Sequence, residues 1–174
     1  VSAFEQGAYD KAQTAFASMG SYADAEDYIL RCRYETAKAQ LADGTEVSLK
    51  DAAEAFRALG NYQDSAAQAQ EADYQRAVLL LKAGDSTEAA KLFTALGAYK
   101  DCDMQLQACA YLDADALLKA GDYAAAQTAF EALGDYEDAA DKAKLAIYEQ
   151  GKAALAREDW DEALTLLTQA ADQQ

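Results

Sequence analysis

Four times along the chain an apolar stretch ends in glycine, with tyrosine two places later and aspartate two places after that. The four versions are FASMGSYADA (16–25), FRALGNYQDS (56–65), FTALGAYKDC (93–102) and FEALGDYEDA (130–139). The glycines Gly20, Gly60, Gly97 and Gly134 are spaced by 40, 37 and 37 residues. Tyr22, Tyr62, Tyr99 and Tyr136 keep the same spacing, as do Asp24, Asp64, Asp101 and Asp138, and Tyr34, Tyr74, Tyr111 and Tyr148. A fixed period in this range belongs to solenoids, in which each unit buries its apolar face only against its neighbours. One irregularity, three extra residues, is expected in a loop around Asp43–Val47.

Within a repeat the apolar period is that of a helix. Tyr123, Ala126, Ala129, Phe130 and Leu133 fall on one stripe; Tyr9, Ala12, Phe16 and Met19, then Leu49, Ala52, Phe56 and Leu59, then Ala89, Phe93 and Leu96 repeat it, and Trp160, Ala163, Leu167 and Ala170 begin a fifth. Each glycine of the phrase is expected to stop this short helix in a left-handed conformation. Each aspartate is expected to cap the next helix by accepting backbone amides. Tyr136 and its equivalents lie in the elbow between. A longer helix follows, at about 138–157 in the last full unit, with Tyr148, Gly151 and Leu155 matching Tyr111, Ala114 and Leu118. The small residue three places after each tyrosine predicts close helix approach. Asp85 with Glu88, Asp159 with Glu162, and Ser48 with Asp51 resemble capping boxes. The resulting organisation is one array over 1–174, with repeats at about 8–47, 48–84, 85–121 and 122–158 and a partial one from 159. Residues 1–7 read as the end of a truncated preceding helix. A fragment of a longer protein is expected, with Leu164, Leu166 and Leu167 partly exposed.

Composition narrows the chemistry. The chain of 174 residues has no histidine, which removes the commonest general base and neutral metal ligand. Its net charge of −16 repels phosphate backbones and anionic lipid, so nucleic acid is not an expected partner. No apolar run approaches a membrane span. Cys32, Cys102 and Cys109 each replace small residues of other repeats, the pattern of buried free thiols. Unpaired cysteines point towards a reducing, cytoplasmic compartment. The acidic loop Asp135, Glu137, Asp138 and Asp141 lacks the spacing of a calcium loop, so no metal is expected. Phosphate loops, nucleophile elbows and Ser–His or Cys–His pairs are missing, and neither catalysis nor a cofactor is expected.

The segment LLKAGDYAAAQTAFEAL (117–133) resembles the tetratricopeptide repeat: the end of its helix A, its Gly-Asp-Tyr turn and the Ala-x-x-x-Phe of its helix B, here Ala126 and Phe130. Ala37, Ala77, Ala114 and Gly151 match its small helix-A residue. The period is longer than the family's, about 34 residues, and the Gly-x-Tyr-x-Asp elbow stands where the family has proline, as in a longer-period bacterial-type variant. The stretch LADGTEVSLKDAAEAF (41–56) also resembles a Sel1-like repeat, once. The resemblance implies an all-α, right-handed superhelical α-solenoid of antiparallel helix pairs with its A helices lining a concave groove. On that basis Tyr34, Tyr74, Tyr111 and Tyr148 edge the groove, and Lys38, Val78, Asp115 and Lys152 stand one turn further on. The tyrosines are the same in every unit, which favours packing; the positions after them vary, which favours selectivity for a protein or peptide partner. The expected function is an interaction scaffold. The competing expectation is a structural spacer or sensor module of a larger protein, a membrane-attached one included, with no ligand of its own.

Overall fold

The stretches that carry a helical stripe are helices in the computed structural model, which describes residues 2–20 and 24–172. Tyr22, the first elbow tyrosine, lies outside them. Among the described residues the regular elements are ten α-helices and there is no strand. They group into two compact units, Val1–Lys100 and Asp101–Gln174. The first holds α1 (Ser2–Glu5), α2 (Tyr9–Ser18), α3 (Ala25–Asp43), α4 (Glu46–Leu59), α5 (Ser65–Lys82) and α6 (Ser86–Leu96). The second holds α7 (Cys102–Ala120), α8 (Tyr123–Leu133), α9 (Ala139–Ala156) and α10 (Trp160–Asp172). Within each unit every helix packs on the next in sequence.

Short and long helices alternate because the phrase at each short helix end forces a turn. α6 and α8 have 11 residues, whereas α5, α7 and α9 have 18 or 19. Aromatics and alanines fill the space between them. In the first unit Phe56 and Leu59 of α4 lie among Tyr34 and Ala37 of α3 and Ala69 and Ala72 of α5. In the second, Phe130 and Ala126 of α8 lie among Ala114 of α7 and Ala139, Ala143 and Ala146 of α9. Alanine lets helix axes approach closely, and a buried phenylalanine from each short helix fills the space between its neighbours. Gly151 extends this logic: a Cβ there would come within 2.8 Å of the Leu167 side chain.

Four sequence expectations are corrected. The three extra residues are not loop. They lengthen α4 to 14 residues, adding nearly one turn at its N-terminus and leaving its stripe in register. The cap is therefore Thr45, which accepts from the Ser48 amide at 3.3 Å, and the capping box expected at Ser48 is displaced one turn upstream. The two other expected boxes have their cap bonds: the Glu88 amide donates to Asp85 at 3.0 Å and the Glu162 amide to Asp159 at 3.3 Å.

The second correction concerns the stop glycines. Gly60, Gly97 and Gly134 have φ of 59°, 59° and 58° but ψ of −118°, −129° and −122°, so they are not left-handed helical. A Cβ is excluded there more firmly than in the left-handed helical region, so the position needs glycine. Third, Asp64, Asp101 and Asp138 precede their helices without accepting a backbone amide. The Asp64 and Asp138 carboxylates are used elsewhere, as described below, and Asp101 accepts from the Gln105 side chain at 2.9 Å. Fourth, Trp160 does not join the stripe of α10: at its first residue it stands 64 % exposed, while Ala163 is buried.

Candidate functional site

Tyr34, Tyr74 and Tyr111 of the long helices are held in an aromatic triad that recurs in both units. Tyr34 of α3 meets Phe56 of α4 edge-on, with ring centroids 5.7 Å apart, and Tyr62 of the following elbow at 5.7 Å. Tyr74 of α5 meets Phe93 at 6.1 Å and Tyr99 at 5.9 Å. Tyr111 of α7 meets Phe130 at 5.7 Å and Tyr136 at 5.8 Å. Edge-to-face packing places the positive ring rim on a neighbour's negative face, worth about 1 kcal/mol beyond area burial. The elbow thus brings its tyrosine back onto the tyrosine of the preceding long helix.

The aspartate of the phrase completes the clasp. The Tyr34 hydroxyl donates to Asp64 Oδ1 at 2.5 Å, and the Tyr111 hydroxyl donates to Asp138 Oδ1. Gln68 adds a second donor to Asp64 at 2.8 Å. A phenol hydrogen on the carboxylate explains why these aspartates do not cap their helices. The hydrogen bond to Asp64, with burial, pushes the Tyr34 phenol up to about 12. The same bond holds the Asp64 carboxyl below its ordinary value. The Tyr111 phenol is likewise raised, chiefly by its bond to Asp138.

A lysine lies over each of the four rings. Lys100 is 4.3 Å from the Tyr74 centroid, Lys142 4.5 Å from Tyr111, Lys38 5.5 Å from Tyr34 and Lys152 5.3 Å from Tyr148. These are cation–π distances. Two of the lysines also close ion pairs across elements. Lys100 meets Glu71 of α5 at 2.5 Å, where the Tyr99 hydroxyl also donates at 2.8 Å and Gln75 at 2.9 Å. Burial would raise the Glu71 carboxyl, but the three hydrogen bonds outweigh it and pull it down to about 2. Lys142 of α9 meets Asp115 of α7 at 2.6 Å, and Lys119 meets the same carboxylate at 2.5 Å. Both bonds hold Asp115 below its ordinary range.

The eight residues singled out in the sequence therefore separate. Tyr34 is buried and Tyr74 and Tyr111 half-buried, their rings engaged inside their own unit. Tyr148 is 46 % exposed. Among the positions one turn on, the side chains of Lys38 and Lys152 are 48 % and 49 % exposed, each paired to a glutamate three residues back. Val78 with Tyr74, Leu49 and Leu79 lines an apolar hollow of about 260 Å³. Asp115 is enclosed by its two lysines. The structure brings Tyr34 to Lys38, Tyr74 to Val78 and Tyr148 to Lys152.

Sequence reasoning missed three features. The residue between elbow tyrosine and aspartate has positive φ: Gln63 at 50°, Lys100 at 49° and Glu137 at 48°. No glycine or asparagine marks it, so no local signal was available. It also missed Glu71 and Lys142, whose partners lie 27–29 residues away. Asp73 is a third: it is buried on α5 and paired with Arg57, and burial raises its carboxyl despite Arg57 and Arg76. The three cysteines are buried and, among the described residues, form no disulfide, as their alanine-like positions foretold. Among the described residues no helix is long and apolar enough to cross a membrane. Comparison of the chain with models of protein families, with curated proteins and with solved structures finds no match.

Proposed function

We propose that the chain is a tetratricopeptide-like array, a right-handed superhelical α-solenoid, that serves as a protein-interaction scaffold and binds a peptide or a segment of a partner protein along its long helices. One observation carries this reading. Tyr34, Tyr74 and Tyr111 are locked in the same edge-on geometry, while the row one turn further changes from Lys38 to Val78 to Asp115 to Lys152. A constant frame with a variable row is what selective recognition by a rigid repeat needs, since helices that are already ordered lose little freedom on binding. Lys38 and Lys152 offer exposed charge for carboxylates of a partner, and the hollow at Val78 offers an apolar contact.

Selection of a displayed random-peptide library on the protein tests this. Peptides that bind the parent chain are expected to bind Val78→Asp and Lys38→Glu at least about ten-fold more weakly, a loss of roughly 1.4 kcal/mol. Failure to select any peptide, or affinities untouched by both changes, would favour the spacer or sensor reading. That second reading has its own support: the Tyr34 and Tyr111 hydroxyls and the Asp115 carboxylate are already engaged inside the chain.

A further inference from the structure

Asp73 and Arg57 break the repeat. No other repeat has an acid where Asp73 stands or a basic residue where Arg57 stands: the equivalent positions hold Arg33 and Ala17, Ala110 and Thr94, and Ile147 and Glu131. The repeat is therefore built elsewhere without this pair. An ion pair with a buried member is in any case a poor stabiliser, since desolvation offsets most of the attraction and apolar residues often replace it at no loss. The pair lies in a hollow of about 420 Å³ between α4, α5 and α6, which Phe56, Ala69, Gln70 and Leu96 also line. Its two halves differ. The Asp73 side chain is 12 % exposed and the Arg57 side chain 55 %, so the acid is held in place while the guanidinium is free to swing. Arg57 donates to Oδ2 of Asp73, and among the described residues Oδ1 accepts no hydrogen bond. Burial raises the Asp73 carboxyl although Arg57 and Arg76 both act on it, so the pair leaves this carboxylate short of donors.

We infer that this hollow binds an apolar α-amino acid, its ammonium on Asp73, its carboxylate on Arg57 and its side chain against Phe56, Ala69 and Leu96. The charges select this class. A lone anion would meet the Asp73 carboxylate in a chain of net charge −16. A lone cation would meet Arg57 and Arg76, the two charges that already act on Asp73. A zwitterion brings no net charge and gives each member of the pair an opposite partner. Asp73 and Arg57 are in contact, so the two charges of the ligand must be neighbours as well, as they are across the single carbon of an α-amino acid. A guanidinium takes a carboxylate through two parallel hydrogen bonds. Gln70, exposed at the rim, has an amide oxygen that can accept from the ammonium. A hollow of this size, with an apolar wall and few polar groups, suits a small ligand. None of these residues belongs to the row of Lys38, Val78, Asp115 and Lys152, so the site stands whether or not the long helices bind a peptide.

Isothermal titration calorimetry with L-leucine tests the site. Saturable binding is expected. L-leucine methyl ester, which lacks the carboxylate, and N-acetyl-L-leucine, which lacks the ammonium, should each bind at least about ten-fold more weakly. Arg57→Thr together with Asp73→Ala installs the residues that the next repeat carries as Thr94 and Ala110. This double variant is expected to keep the parent's circular dichroism and thermal unfolding and to lose leucine binding. Asp73→Asn preserves the shape of the side chain; it should weaken L-leucine and leave the N-acetyl compound unchanged, which a purely structural role would not do. Absence of binding at millimolar L-leucine, equal binding of the methyl ester, or leucine binding retained by the double variant would overturn the assignment.

Discussion

The elbow after α6 and the elbow after α8 do the same work with different charges. Both carry a tyrosine edge-on to the tyrosine of the preceding long helix and a lysine over that second ring. In the first unit the lysine is Lys100, in the elbow itself, and it pairs with Glu71. In the second the lysine is Lys142, one turn inside α9, and it pairs with Asp115. The repeat positions exchange as sets: where Lys100 becomes Glu137, Glu71 becomes Ala108; where Lys142 is Gln105, Asp115 is Val78. An ion pair can therefore migrate by one turn without disturbing the rings. The rings specify the fold, and the charges are an interchangeable fastening.

That comparison can be broken at its strongest point first. Phe93→Ala and Phe130→Ala each empty a site that is fully buried. Each is expected to destabilise by about 3–5 kcal/mol in urea unfolding, whatever the ion pair above it. Unequal losses would show that the two fastenings contribute to stability in their own right.

Acid tests the Glu71 fastening next. The folded Glu71 carboxyl lies at about 2, below its ordinary 4.5. A depressed carboxylate contributes stability that is fully present above the unfolded value and is lost as pH falls towards the folded one. The stability difference between the parent chain and Glu71→Gln should be on the order of 2 kcal/mol at neutral pH. It should shrink as pH falls from about 4.5 to about 2. A difference independent of pH across that window would remove Glu71 from the clasp.

Smaller effects distinguish the two lysines. Lys142 is less exposed than Lys100, with side chains at 23 % and 41 %. Lys142→Met is therefore expected to lose about 1–2 kcal/mol and Lys100→Met less than about 1, because solvent screens the outer pair. The smallest change is a gain. Glu137 is exposed, holds φ at 48° and among the described residues takes no part in an ion pair, so Glu137→Asn should relieve backbone strain and stabilise by about 0.5 kcal/mol. At Lys100, with φ of 49°, the same substitution should destabilise instead, since it also removes the Glu71 pair. Thermal unfolding of both variants checks the opposite signs.

Much of the fold is legible in the chain because helix borders follow from residues close in sequence. The expected long helix at about 138–157 is observed at Ala139–Ala156, and the stop at Gly134 is a one-residue decision. The clasp is less legible, because its partners are distant: Tyr34 and Asp64 are 30 residues apart, and Tyr111 and Asp138 are 27 apart. A local reading assigned Asp64 to the nearest free amides, and a phenol from the previous helix displaced that role. Their joint recurrence in every repeat was the available clue. The extra turn of α4 was misread for a different reason: Asp43, Gly44 and Thr45 read as loop residues, yet Thr45 caps a helix whose first residue, Glu46, reaches Arg76 at 2.7 Å.

The sealed thiols give each half of the molecule a built-in clock. Cys32 lies in one unit and Cys102 and Cys109 in the other, all of them enclosed, and burial raises the pKa of Cys32 and Cys109. A thiol reagent reaches such sulfurs only when the surrounding helices part. The rate of labelling at each position therefore times the breathing of its own unit, using no residue that the protein does not already carry.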